Sequence, residues 1–91
     1  MNLRKLYYFV SVATHLNFTK AAKENHIIQT AMSQQISDLE KELGVKLFNR
    51  NSRHVELTPA GKIFLDEITY VLDRYEDAVQ KVKQAAAGTV G

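Results

Sequence analysis

Residues 27–36 read IIQTAMSQQI, and the centre of that run gathers amides and hydroxyls without charge: Gln29, Thr30, Ser33 and Gln34. Such groups suit base edges. Glutamine can pair bidentately with adenine, and serine or threonine can donate to, or accept from, several bases. If Met32 sits at the centre of a buried helix face, Thr30 and Gln34 fall nearly opposite it. Ser33 then lies about a right angle away, and Gln29 precedes the first turn. A second cluster, Asn-Arg-Asn-Ser-Arg at residues 49–53, places Arg50 and Arg53 on a polar turn. Cations there suit phosphate oxygens and fix a protein's register on a duplex.

Other chemistries find little support. His15, His26 and His54 are widely spaced and no cysteine helps them, so no metal site is expected. Ser33 has no histidine at helical spacing to act as its base. The four glycines are scattered and form no phosphate loop. Asp73, Glu76 and Asp77 fall on the solvated side of a helix, and Tyr7, Tyr8, Tyr70 and Tyr75 read as partial core and dimer contacts. No catalytic cluster and no cofactor are expected in this chain.

The elements that must position these residues are mostly helical. Leu3, Leu6, Phe9, Val10, Ala13 and Leu16 recur at three and four, giving a first helix with one buried face. Asn17 or Thr19 caps a short second helix, TKAAKEN, whose paired Ala21 and Ala22 let another helix approach closely. A third helix starts near Thr30, with Met32, Ile36, Leu39 and Leu43 as its stripe and Gly44 as its left-handed cap. A short helix, a break and a longer helix make a helix-turn-helix, whose second helix enters the major groove. In VKLFNRNSRHVELT, Val45 and Leu47 alternate, as do Val55 and Leu57, so residues 45–58 read as a small β-hairpin wing. Thr58-Pro59 then starts a helix over about residues 59–87.

That last helix carries a heptad seam through Phe64, Ile68, Val71, Tyr75, Ala78, Val82 and Ala85, with Leu65, Leu72, Val79 and Ala86 beside it. The stripe is wider than one partner needs. It is expected to serve both the preceding domain and a second copy of the chain, with Phe64, Ile68, Val71, Leu72, Tyr75, Val79 and Val82 at the subunit interface. The closing GTVG has no periodicity and reads as the start of a hinge.

The chain is basic where the polar face lies. Residues 1–37 hold four bases against one acid, and residues 59–91 hold four bases against five acids. A basic half on a mildly acidic stalk suits a phosphate-facing module. No stretch approaches the ~18 apolar residues that span a membrane, and MNLRKLYYFV is not a secretory signal. A cytoplasmic location is expected.

Three segments in order, LRKLYYFVSVA, NFTKAAKENHIIQTAMSQQISDLEKELGVKLFNR and LTPAG, resemble the N-terminal DNA-binding domain of LysR-type transcriptional regulators across nearly all of residues 1–87. The resemblance implies a mainly α, winged helix-turn-helix fold at residues 1–58, a linker and dimerisation helix at 59–87, and at 88–91 the hinge to an effector domain. It implies that the linker helix pairs antiparallel with another subunit, giving dimers or tetramers on dyad-like promoter sites. A small-molecule effector belongs to the further domain. By position, Gln29, Thr30, Ser33 and Gln34 match base contacts, while Arg50, Ser52 and Arg53 match the wing. Lys5, Thr19 and Lys20 match places near phosphates. Family members often have proline at the position of Thr30 and arginine at that of Gln34, so adenine replaces a guanine-type preference there. Asn25 stands where an apolar residue is usual, and Ile28 is expected to fill the space beside it. The alternative is a winged-helix module that binds protein through its long helix; basic residues at the wing speak against it.

Overall fold

The computed structural model describes residues 1–51 and 54–88. Its order is α1 (Leu3–His15), α2 (Phe18–Glu24), α3 (Gln29–Leu43), β1 (Phe48–Arg50), β2 (Val55–Leu57) and α4 (Pro59–Ala86). The architecture is therefore mainly helical, with one two-stranded wing and a long final helix.

Local signals set most boundaries. Asn2 caps α1 by accepting from Lys5 N, and Asn17, not Thr19, caps α2 by accepting from Lys20 N. Thr58 accepts from Gly61 N and Pro59 follows it, where a missing N–H costs nothing. Gly44 ends α3 at φ 73°. Between α2 and α3 the chain reverses through His26, whose φ of 57° lies in the left-handed region that histidine visits more readily than most residues. The third helix begins one residue earlier than expected, so Gln29 stands in its first turn.

The wing corrects a second expectation. Val45 and Leu47 do not alternate within a strand: Val45 is exposed, while Leu47 and Phe48 are both buried. The antiparallel register pairs Phe48 with Leu57 and Arg50 with Val55. At the entry to β1, the N–H groups of Leu47 and Phe48 donate to the buried Glu40 carboxylate at 2.8 and 3.2 Å. A side chain of α3 thus holds this approach together with the backbone pairing to Leu57 and Thr58.

Phe9 is the hub of the core. Its ring meets Phe48 at 5.4 Å and Phe64 at 5.0 Å, and Phe18 meets Phe48 at 5.8 Å. These tilted and edge-on contacts join α1, α2, the wing and α4 in one cluster. Met32, Ile36 and Leu39 bring α3 into it, and Ile68 and Leu72 bring α4.

Asn25 is a polar stitch. Its Nδ2 donates to Ser11 Oγ at 3.0 Å and to the Ala21 carbonyl at 2.8 Å. Ser11 in turn donates to Glu24, which also meets His15. Ile28 does not fill space beside Asn25. It occupies the N-cap position of α3 without a side-chain bond and is 71% exposed.

Two exposed carboxyls sit below their ordinary value of 4.5. Glu24 is lowered by its bonds to His15 and Ser11, and Glu42 by those to Lys5 and the N-terminal ammonium. Lys5, bonded to Glu42, lies above its ordinary 10.5. A depressed carboxyl contributes stability above its unfolded value and loses it as pH falls through the folded one. The raised lysine contributes below 10.5 and loses it as pH rises beyond. Thermal melts should therefore weaken below about pH 4.5, and Glu24→Gln or Glu42→Gln should flatten that decline. An acid limb unchanged in both variants would remove these pairs from the linkage.

Candidate nucleic-acid interface

An open cleft lies where the start of α2, the start of α3 and the wing converge. Asn17, Thr19, Gln29, Ser33, Arg50 and His54 are among the residues lining it. The helix-turn-helix geometry makes this meeting: the reversal at His26 turns the first turns of α3 outward beside α2.

Gln29, Thr30 and Gln34 are exposed on α3, and Ser33 is half-buried at the cleft wall. Gln34 Nε2 donates to Asp38 Oδ1 at 2.8 Å, one turn on. Among the described residues, nothing takes the other amide hydrogen or the amide oxygen. The N-terminus of α3 has no side-chain cap, whereas α1, α2 and α4 each have one. Its first N–H groups are thus unsatisfied by any cap and carry the positive end of the helix dipole.

Thr19 lines the cleft and Lys20 is exposed beside it. The structure does not bring Lys5 there. Its ammonium meets Glu42 at 2.8 Å, near the far end of α3 and about 20 Å from Gln29 along the helix. Ser52 and Arg53 lie outside the described residues.

Arg50 takes an unexpected position. It reaches from β1 back to α3, where Nη1 donates to Ser33 Oγ at 2.9 Å and Nη2 to Ser37 Oγ at 3.1 Å. Its guanidinium carbon lies 4.5 Å from the centre of the Phe18 ring. Ser37 and Phe18 were missed as site residues. Ser37 follows Ser33 by one helical turn, and that spacing was the available signal.

The stripe on α4 divides in two. Phe64, Ile68 and Leu72 pack into the chain's own core, with Ile68 and Leu72 buried there. These two therefore have almost no surface left for a second subunit, which corrects their assignment to an interface. Val71, Tyr75 and Val82 are exposed and Val79 is half-buried. Among the described residues, no group of histidine and acidic side chains could hold a metal, and no helix is long and apolar enough to cross a membrane.

Residues 3–62 match the family model described as bacterial regulatory helix-turn-helix protein, lysR family. The chain belongs to the LysR family. The probable cat1 operon transcriptional activator of Acinetobacter lwoffii is 47% identical over this whole LysR-family chain, which spans 28% of that relative. The HTH-type transcriptional regulator BsdA of Bacillus subtilis is 43% identical over 99% of the chain, which spans 32% of it. The chain thus covers about a third of these relatives, and they are regulators rather than enzymes. Among solved structures, a BenM_DBD/catB site 1 DNA complex matches with a TM-score of 0.93 at 42% identity, covering 97% of this chain and 95% of that one. A CbnR_DBD-DNA complex matches with a TM-score of 0.89 at 37% identity, covering 94% and 99%. The LysR fold expected from the sequence is the fold observed.

Proposed function

We propose that this chain binds double-stranded DNA sequence-specifically, as the DNA-binding domain of a LysR-type transcriptional regulator. The observation that carries this reading is the row of exposed Gln29, Thr30 and Gln34 on the uncapped start of α3, beside the cleft. In the major groove these side chains face base edges. Gln34, its amide steadied by Asp38, presents the oxygen and hydrogen that adenine N6 and N7 require. The free N–H groups of α3, with Thr19 and Lys20, face phosphate oxygens. The likeness to two DNA complexes supports the same ligand.

The reading extends to the assembly. Two copies pair through α4, with Val71, Tyr75, Val79 and Val82 on the shared face, and their recognition helices enter major grooves about 34–36 Å or a multiple apart. Tetramers and the small-molecule effector depend on a further domain, and the regulator works in the cytoplasm.

Fluorescence anisotropy tests it. The chain is titrated onto a labelled A·T-rich inverted repeat and a scrambled duplex at several salt concentrations. Tighter binding to the repeat, with steep salt dependence on both, is expected. Gln34→Ala should flatten preference at one base position while non-specific binding persists. Equal loss on every sequence would remove Gln34 as a reader. No binding at low salt by a folded dimer would sink the proposal and direct attention to α4 as a protein-binding surface.

A further inference from the structure

Arg50 comes from the wing but does not point away from the body. Its guanidinium is fixed by the Phe18 ring below it and by two hydroxyls of α3 in front of it. Phe18 is itself buried and braced by Phe48. The backbone of Arg50 is held in register opposite Val55. Although Arg50 is exposed, its bonds and its stacking aim the guanidinium at Ser33.

The consequence falls on Ser33. A guanidinium carries only donors, so the serine oxygen must accept from Arg50. Among the described residues, the Ser33 hydroxyl proton meets no acceptor. One lone pair on the oxygen remains, but a positive charge 2.9 Å away makes that lone pair a poor acceptor and the O–H a better donor. The side chain sits at the cleft wall with its proton available to a ligand.

We infer that Arg50 is a positioning residue that biases Ser33 toward donating, so that the base facing Ser33 is preferred when it presents an acceptor and cytosine is disfavoured. The inference rests on the DNA-binding reading above. In the major groove guanine offers N7 and O6, thymine O4 and adenine N7, whereas cytosine offers only its N4 amino donor. An unbiased serine hydroxyl serves either kind of edge. With Arg50 in place, a cytosine amino group would meet a hydroxyl biased toward donating and a cation behind it.

Selection from duplexes with a randomised half-site, read by sequencing, tests this with the full 91-residue chain. Wild type, Ser33→Ala, Arg50→Met and the double variant are compared, each also titrated onto one fixed non-specific duplex. Wild type should deplete cytosine about fivefold at one position, the low end of what a bidentate base contact provides, as suits a single hydroxyl. Ser33→Ala should erase the depletion. Arg50→Met keeps an unbranched apolar stem but removes the guanidinium and its donors, and should reduce the depletion to about twofold or less. The double variant should match Ser33→Ala.

Cytosine depletion that survives Arg50→Met, with affinity lowered alike on all duplexes, would make Arg50 a backbone contact and overturn the inference. Ser33→Ala leaving every position unchanged would overturn it as well, whatever Arg50→Met does to folding. Salt-dependent wild-type binding without base preference would overturn the inference and leave DNA as the ligand. No wild-type binding at low salt would remove both.

Discussion

Gly61→Ala is expected to lower the stability of the folded chain by about 2 kcal/mol, although alanine is the better helix former. Gly61 lies in the first turn of α4. A Cβ there would stand 2.1 Å from the Leu47 carbonyl oxygen, 3.0 Å from the carbonyl carbon and 3.1 Å from Leu57 Cδ2. The first two are backbone atoms and cannot rotate aside. The Leu47 oxygen also accepts from Thr58 N at 3.0 Å, and Thr58 both caps Gly61 N at 2.9 Å and donates to the Lys46 carbonyl at 2.7 Å. Pushing the carbonyl away therefore loosens the cap of α4 and the approach to β1 together.

Magnitudes decide the sign. Alanine gains about 0.8–1 kcal/mol of helix propensity over glycine. Overpacking a tight site costs typically 1–3 kcal/mol and occasionally more, and contact with fixed backbone belongs at the upper end. In a domain of this size each kcal/mol moves the melting temperature by about 4–8 °C, so a drop on the order of 10 °C is expected. Variants must be compared at equal concentration, since any self-association raises the melting temperature. Gly44→Ala is the control. Its φ of 73° imposes strain of about 1 kcal/mol, but nothing lies within 4 Å of the new Cβ. A Gly61→Ala chain that melts at or above wild type would show that α4 does not seat against Leu47 as described.

Why this seat was invisible in the sequence is instructive. The glycine in LTPAG reads as one more helix-start residue, and nothing local says that a carbonyl from residue 47 presses on it. Features written in neighbouring residues were legible: the cap at Thr58, the proline after it, the stripe of α3 and the Gly44 stop. The amide and hydroxyl face of α3 was legible too, because helical spacing alone places Thr30 and Gln34 away from Met32. Features that depend on distant partners were not. Arg50 reaches Ser33 across 17 positions, so a wing arginine reads as a phosphate contact until its stacking on Phe18 is seen. Asn25 stitches to Ser11 across 14 positions, which the helix pattern of either segment could not announce. Along α4 the width of the apolar stripe was readable. Its division into a buried part at Ile68 and Leu72 and an exposed part at Val71 and Val82 needed the packed position of α1.

Glu40 is the other residue whose role lies in distant partners, and its replacement by alanine is expected to cost about 3–4 kcal/mol. In the run DLEKEL it reads as a solvated acid, yet it is only 5% exposed. It stands in the last turns of α3, where the helix dipole disfavours a negative charge by about 0.3–1 kcal/mol. What outweighs that penalty is the pair of backbone N–H groups of Leu47 and Phe48, both donating to Oε2. Alanine would strand these two donors in the interior at about 1–3 kcal/mol each. Glutamine keeps an acceptor oxygen, loses the charge assistance and relieves the dipole, so its cost should be about 1 kcal/mol. Urea denaturation of the two variants, with amide hydrogen exchange at Leu47 and Phe48, separates the effects. The expected pattern is a large loss for alanine, a small one for glutamine, and protection at those two amides falling further than elsewhere in the core. Equal costs for the two variants would mean that the lost carboxylate charge, not the stranded amides, sets the penalty. Unchanged protection at Leu47 and Phe48 would mean that the wing is held to α3 by its apolar contacts alone. Because the same segment carries Arg50 to Ser33 and seats α4 at Gly61, Glu40 is where the polar face of α3, the wing and the long helix are fastened to one another.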